Sequence, residues 1–194
     1  MLSLFSPPSS RSPAAVNDHR LRPVREADAP ALLDAFRSAP DMARQGTVTT
    51  LDQANEQLAW LREKHRRAIA IVDGANTLVG LVTISIDEEN RAGWFFYWLH
   101  AAHRGQGLAA RAAATVADHA LTPSADGGWG LERLELGHRA NNPASGTVAR
   151  AAGFVHEGTE RGKFLIDGER LDVLTYGRLV ADPRPTVAGL PWHP

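Results

Sequence analysis

The sequence predicts a mixed α/β layer fold, and three observations carry that prediction. Strand and helix periodicities follow one another in the order β-α-α-β-β-β-α-β-α-β-β. Two pairs of β-rich runs close around strong turn sequences. The most aromatic run of the chain leads through a glycine loop straight into an alanine-rich helix. A chain of 194 residues suits one domain with a short appendage at each end.

Taken in order, residues 1–18 begin with a short apolar patch and then become rich in Ser and Pro, which reads as a flexible arm. The patch lacks the basic start and long apolar core of a signal peptide. Leu21 to Val24 is a short strand. Asp28, a candidate cap, and Pro30 open a helix through Ala31, Leu32, Ala35 and Phe36. Residues 41–50 are polar and irregular, and a second helix carries Leu51, Ala54, Leu58 and Leu61 on one stripe. Residues 68–72 and 78–86 form a hairpin around Asp73-Gly74-Ala75-Asn76. A charged turn, 87–91, precedes the aromatic strand 93–99 (GWFFYWL). Loop 101–107 and helix 108–121 follow, then a Gly/Pro/Ser loop and strand 131–137. Asn142 as cap and Pro143 at the first helical position start a helix that runs to Ala152, with Gly153 at its C-cap. Residues 154–157, 162–166 and 171–179 are strands, the last two joined by the hairpin turn Asp167-Gly168. From Pro183 to Pro194 the chain is proline-rich and reads as an irregular tail.

Composition narrows the function. Hydrophobic residues are 43% and charged residues 22%, ordinary for a soluble globular domain. A net charge of -1 gives no global field for nucleic acid or an anionic membrane, and no apolar run approaches the roughly 20 residues of a membrane span. The chain has no cysteine, which excludes disulfides, thiolate metal sites and a cysteine nucleophile, and fits a cytoplasmic protein. The eight histidines form no HExxH and no close pair of zinc spacing, so no metal is expected.

The chemistry concentrates at Ala102-His103-Arg104-Gly105-Gln106-Gly107-Leu108-Ala109. Glycines at 105 and 107 permit positive φ and close approach of a ligand to the backbone. Successive N–H groups, with the positive end of the helix that begins near Leu108, make an anion cradle. The loop should therefore bind a phosphate-bearing ligand. It is no Walker loop, because the Lys-Ser/Thr pair is missing. A dinucleotide fingerprint would put its third glycine at Ala110 and lacks the acidic residue expected after a second strand. His100 and His103 flank the loop and read as surface residues.

Arg104-Gly105-Gln106-Gly107-Leu108-Ala109 resembles the [QR]-x-x-G-x-[GA] signature of the GNAT superfamily. Tyr97-Trp98-Leu99 resembles the Y-W-L that leads into this loop in ribosomal-protein N-terminal acetyltransferases of the RimJ/RimL type. Asn142-Pro143-Ala144-Ser145, then Val148-Ala149-Arg150 and Gly153-Phe154, is similar to their N-x-[AP]-S…V-A-R/E…G-F block, and residues 162–179 are similar to their closing hairpin. The match covers roughly positions 19–182 in the right order.

The resemblance implies the GNAT fold, a central, mostly antiparallel twisted sheet flanked by helices. It implies acetyl-CoA as co-substrate and an amine acceptor, by direct transfer in a ternary complex. The coenzyme site it implies is Leu99, Arg104, Gly105, Gln106, Gly107, Leu108 and Ala109, with Asn142 on the pantetheine arm and Ser145 near the sulfur as proton or hydrogen-bond donor. The Arg104 side chain would contact a phosphate. The acidic residue that serves the amine falls, by counting back from Tyr97, nearest to Asp87. Glu88 and Glu89 compete with it, and an aspartate departs from the family's glutamate. Tyr176 is a second candidate to protonate the thiolate. Trp94, Phe95, Phe96, Tyr97 and Trp98 read as core, alternate members facing opposite sides of the sheet.

Three functions remain open at this point: transfer to a protein or peptide α-amine, transfer to a small amine such as an antibiotic or metabolite, and a coenzyme-A-binding sensor without turnover. Oligomeric state, a homodimer included, stays open as well.

Overall fold

The computed structural model describes residues 18–192. The arm read at 1–18 lies, Asp18 apart, outside the described residues. Seven strands form one sheet: β1 (Arg20–Pro23), β2 (Arg66–Val72), β3 (Leu78–Asp87), β4 (Ala92–Leu99), β5 (Arg133–Arg139), β6 (Val155–Ile166) and β7 (Glu169–Leu179). Their order is β1-β2-β3-β4-β5-β7-β6, antiparallel throughout except where β4 meets β5. The helices are α1 (Ala29–Arg37), α2 (Leu51–Leu61), α3 (Leu108–Leu121) and α4 (Pro143–Ala151).

Alternation along the strands divides the core in two. Ala68, Ala70, Val72, Leu81 and Trp98 face α1 and α2, against Leu32, Phe36, Leu58 and Leu61. Ile69, Ile71, Val82, Ile84 and Phe95 face α3 and α4. The alanines of α3 are the reason that helix can lie so close to the sheet: Ala112, Ala113, Ala117 and Ala120 are fully buried against it. Thr50 caps α2, accepting a hydrogen bond from the Gln53 N–H.

Several elements differ from the sequence reading. Asp28 precedes α1, but its side chain makes no cap bond to that helix. Its carboxylate is buried and takes both Arg22 Nη groups at 2.8 and 2.7 Å, together with the Arg25 N–H at 2.8 Å. A capping residue and a buried ion-pair partner look alike in sequence. Leu51, placed on the apolar stripe of α2, is 48% exposed, because it stands at the first turn beyond the edge of the core. The 41–50 segment holds a 3-10 turn, Pro40–Gln45. Leu131 is buried but precedes β5, its N–H bonded to the Ala120 carbonyl at the end of α3. The strands read at 154–157 and 162–166 are one strand, β6, carried through two register shifts against β7. Asp167 and Gly168 both take positive φ, 50° and 82°, as a type I′ hairpin turn requires.

Residues 183–191 hold no helix or strand, yet the segment packs on the domain. Leu190 is buried, its N–H bonded to Thr115 Oγ1 at 2.8 Å, and Trp192 stacks on His119. The Leu21 N–H bonds to the Pro191 carbonyl, extending the sheet beyond β1. No helix among the described residues is long and apolar enough to cross a membrane.

Candidate active site

The parallel pairing of β4 with β5 is short. It spans Ala92↔Arg133, Gly93↔Leu134 and Trp94↔Glu135, after which β5 continues on β7 alone. From Phe95 to Leu99 the two strands therefore diverge, and the sheet forks. The loop after β4 starts α3 on one side of the fork, and the loop after β5 starts α4 on the other.

Gly105 and Gly107 adopt φ of +76° and +71°, and a Cβ at either would meet nothing within 4 Å. Glycine is required by the backbone here, and the open space beside it is cleft. Gly107 is the N-cap of α3 and has no side chain to offer, so the first-turn amides of Leu108, Ala109 and Ala110 lack a capping partner. All three residues line the cleft. Unsatisfied amides at a helix N-terminus form a site for an anion.

Across the fork, Asn142 caps α4, its Oδ1 accepting from the Ser145 N–H at 3.4 Å. Pro143 follows at the first helical position, where its missing N–H costs nothing. Ser145 Oγ lies 2.7 Å from the Tyr97 hydroxyl, which is also 2.9 Å from the Ser145 carbonyl oxygen. One cleft of about 550 Å³ joins the two helix starts, lined among others by Tyr97, Leu99, Gly105, Gly107, Asn142 and Ser145.

Burial pushes the Tyr97 phenol up to about 12; the Ser145 hydrogen bond pulls against the rise and Tyr176 adds to it. The hydroxyl is therefore a stable donor at neutral pH. An unfolded tyrosine ionises near 10. The stabilising difference is complete below about pH 10 and is lost as pH rises towards 12. Urea midpoints measured from pH 9 to 11.5 should fall more steeply for the wild type than for Tyr97→Phe; equal slopes would contradict a buried, neutral phenol.

The remaining residues singled out in the sequence distribute unevenly. Leu99, Arg104, Leu108 and Ala109 line the cleft, whereas Gln106 does not. The Arg104 guanidinium is engaged within the chain: Nη1 donates to both Asp41 oxygens at 2.9 and 2.8 Å, Nε to the Leu99 carbonyl at 3.1 Å, and Nη2 to Met42 Sδ at 3.0 Å. Asp87 stands apart. It pairs with Ala92 at the opposite end of β4, on the order of 16 Å along the strand from Tyr97. Its carboxylate is exposed and accepts from the Asn90 side chain at 2.8 Å and backbone N–H at 3.1 Å, and these bonds hold its pKa below the usual carboxylate value. Asp87 shapes the β3–β4 turn and is not gathered with the cleft residues.

Tyr176 is 2% exposed and lies under the first turn of α4. Its hydroxyl is 3.4 Å from His138 Nε2 and accepts from Arg150 Nη1 at 3.3 Å. A Cβ at Gly146 would come within 2.7 Å of His138 Nε2 and 3.2 Å of the Tyr176 hydroxyl, so this pair supports the turn that carries Ser145. Tyr176 does not line the main cleft. It borders a smaller one of about 180 Å³ with Trp94, Arg133, Glu135, Glu157 and Glu160.

The sequence offers Tyr97 only as part of the Y-W-L motif and the 41–50 loop only as a determinant of the acceptor; that Tyr97, Asp41, Met42 and Arg44 line the cleft beside the glycine loop comes from the fold. Strand alternation placed Tyr97 opposite Trp98, which was the signal available for it. Nothing local announces that residues 40–45 meet a loop 60 residues away.

Known proteins share this fold. Ribosomal-protein-serine acetyltransferase of Escherichia coli (strain K12) is 31% identical over 121 residues, which cover 60% of this chain. The match spans 64% of that relative's length. Mycobacterium smegmatis RimJ, solved in complex with CoA-disulfide, superposes with a TM-score of 0.70 at 25% identity, over 83% of this chain and 81% of its own. A spermidine N-acetyltransferase chimera from Vibrio cholerae superposes with a TM-score of 0.72 over 84% of this chain and 96% of its own; at 21% identity the likeness is one of fold. Residues 19–155, most of the described sheet and both helix starts of the cleft, match the acetyltransferase (GNAT) domain, and the chain belongs to that family.

Proposed function

We propose that the protein moves an acetyl group from acetyl-CoA to a primary amine, in first place the α-amine of a protein or peptide N-terminus, by direct transfer in a ternary complex. The observation that carries the reading is one cleft with the uncapped start of α3 on one side and the Tyr97–Ser145 pair on the other.

The coenzyme's pyrophosphate fits the loop of Gly105 and Gly107 and the amides of Leu108 and Ala109. Asn142 and Leu99 would then border the pantetheine arm, and Ser145 the thioester. Without cysteine no thioester can form on this chain. The lone pair of the neutral amine attacks the carbonyl carbon, a C–N bond forms, the C–S bond breaks, the electron pair leaves on sulfur, and the nitrogen gives its extra proton to water. Ser145 donates its hydroxyl hydrogen towards that sulfur, while Tyr97, whose hydroxyl donates to the Ser145 carbonyl oxygen and lies beside Ser145 Oγ, holds the serine in place. A thiol with a pKa of about 8.5 needs only modest help to depart.

The choice of acceptor rests on the bases present. Among the described residues that line the main cleft, Asp41 is the one carboxylate, and Arg104 holds it. The site thus offers no free carboxylate to deprotonate an ammonium group. An α-amine, with a pKa near 8, supplies roughly one neutral molecule in ten at pH 7, whereas an alkyl amine near 10.4 supplies fewer than about one in a thousand. Charge matching around the smaller cleft argues against a polycation for the same reason. Glu135 and Glu157 both pair with Arg133, at 2.8 and 2.5 Å, and Glu160 pairs with Lys163.

Ser145→Ala should leave the Kd for acetyl-CoA nearly unchanged and lower kcat by about 10- to 100-fold. Stopped-flow thiol release and calorimetry on the same sample separate the two effects. Full turnover in the variant would remove Ser145 from the mechanism.

A further inference from the structure

Among the described residues, three charged side chains line the cleft: Asp41, Arg44 and Arg104. Arg104 stands in the loop expected to meet phosphate, yet both Asp41 oxygens, the Leu99 carbonyl and Met42 Sδ already occupy it. Turning that guanidinium to a phosphate would break the pair and leave the Asp41 carboxylate bare at the mouth of an anion site, where like charge repels.

The same contacts bring a second arginine to the rim. The Arg104–Asp41 pair fixes the 3-10 turn Pro40–Gln45 against the loop that follows β4. The Ala101 N–H donates to Ser38 Oγ at 3.0 Å, and His100 Nε2 lies 3.3 Å from the Asp34 carboxylate. Thus the end of α1 and the turn after it are fastened to the glycine loop at three points. Arg44 sits in this turn, is exposed, lines the cleft and has no partner among the described residues. A guanidinium is suited to phosphate, since its fixed donors match the oxygens two at a time.

We propose that Arg44 is the cation that pairs with a phosphate of the acyl coenzyme, and that Arg104 is a positioning residue which holds Arg44 there through Asp41. The inference rests on the reading of the cleft as the acetyl-CoA site. Either the pyrophosphate or the 3′-phosphate supplies the required chemistry.

Calorimetric titration with coenzyme A and with 3′-dephospho-coenzyme A, at low and moderate salt, tests it. Arg44→Ala should weaken coenzyme A by about 10- to 100-fold and flatten the salt dependence of binding, with Arg44→Lys recovering part of the loss. If dephospho-coenzyme A shows the same loss, the partner is the pyrophosphate; if its binding is indifferent to the substitution, the partner is the 3′-phosphate. Arg104→Ala should also weaken binding, and adding it to Arg44→Ala should cost little more, because one acts through the other. Wild-type affinity and salt slope in Arg44→Ala would overturn the assignment. Additive losses in the double variant would overturn the positioning role. A wild-type protein that takes up no coenzyme A would instead sink the reading of the cleft itself.

Discussion

Replacing Gly107 with valine is expected to remove coenzyme binding, with a loss of affinity beyond about 100-fold, while the fold survives. Two effects combine. Gly107 has φ of +71°, where a β-branched residue is strained by roughly 1–2 kcal/mol. That strain should lower the melting temperature by only a few degrees in a chain of this size. The larger effect is steric. The space beside Gly107 is free of protein atoms and belongs to the cleft, so the valine methyls would stand where the ligand must approach the amides of α3. Gly107→Ala should fall between the two. Calorimetry against acetyl-CoA, with a thermal melt on the same sample, gives both readings. Normal binding by a folded Gly107→Val protein would reduce the loop to an ordinary turn.

Asp28→Ala should cost about 3–5 kcal/mol of stability. Arg22 and Asp28 have side chains only 5% and 7% exposed. Truncating the aspartate leaves a guanidinium buried with Asn76 Oδ1 and two backbone carbonyls for partners and no countercharge. The Arg25 N–H also loses its acceptor. Urea denaturation measures the loss directly. Replacing both partners together, as Arg22→Met with Asp28→Leu, should recover most of it, because removing a buried pair costs far less than breaking one. A single variant within 1 kcal/mol of the wild type would mean that water reaches the pair.

What the residues disclosed before the fold was known follows from how far each signal reaches along the chain. The strand–glycine loop–α3 unit could be read from one stretch, since positive φ, helix start and anion affinity all arise within ten residues. The Asn142–Ser145 cap is equally local. The fork in the sheet was hidden, because it depends on how few residues of β4 and β5 stay in register, which no single strand records. Asp87 shows the limit of counting along the chain: in sequence it lies near the aromatic strand, but in the fold that strand carries Tyr97 and the cleft to its far end. Arg104 and Asp41 are separated by 62 intervening positions, so only the fold reveals that they are paired. Strand β6 looked like two strands because Gly158 and Gly162 interrupt its pattern, and in the fold the register shifts near them bend a single edge strand.

One paired measurement decides whether this cleft binds acetyl-CoA and passes its acetyl group to an amine. Purified protein is titrated calorimetrically with acetyl-CoA, and thiol release is then followed over N-terminal peptides and small amines, a polyamine among them. Binding near one equivalent is expected, with release that depends on an acceptor, is faster with α-amines than with alkyl amines at pH 7, and rises with pH as the acceptor amine loses its proton. Binding without release over the whole panel would contradict the transferase and leave a coenzyme-binding module. Failure to bind acetyl-CoA at all would contradict the site.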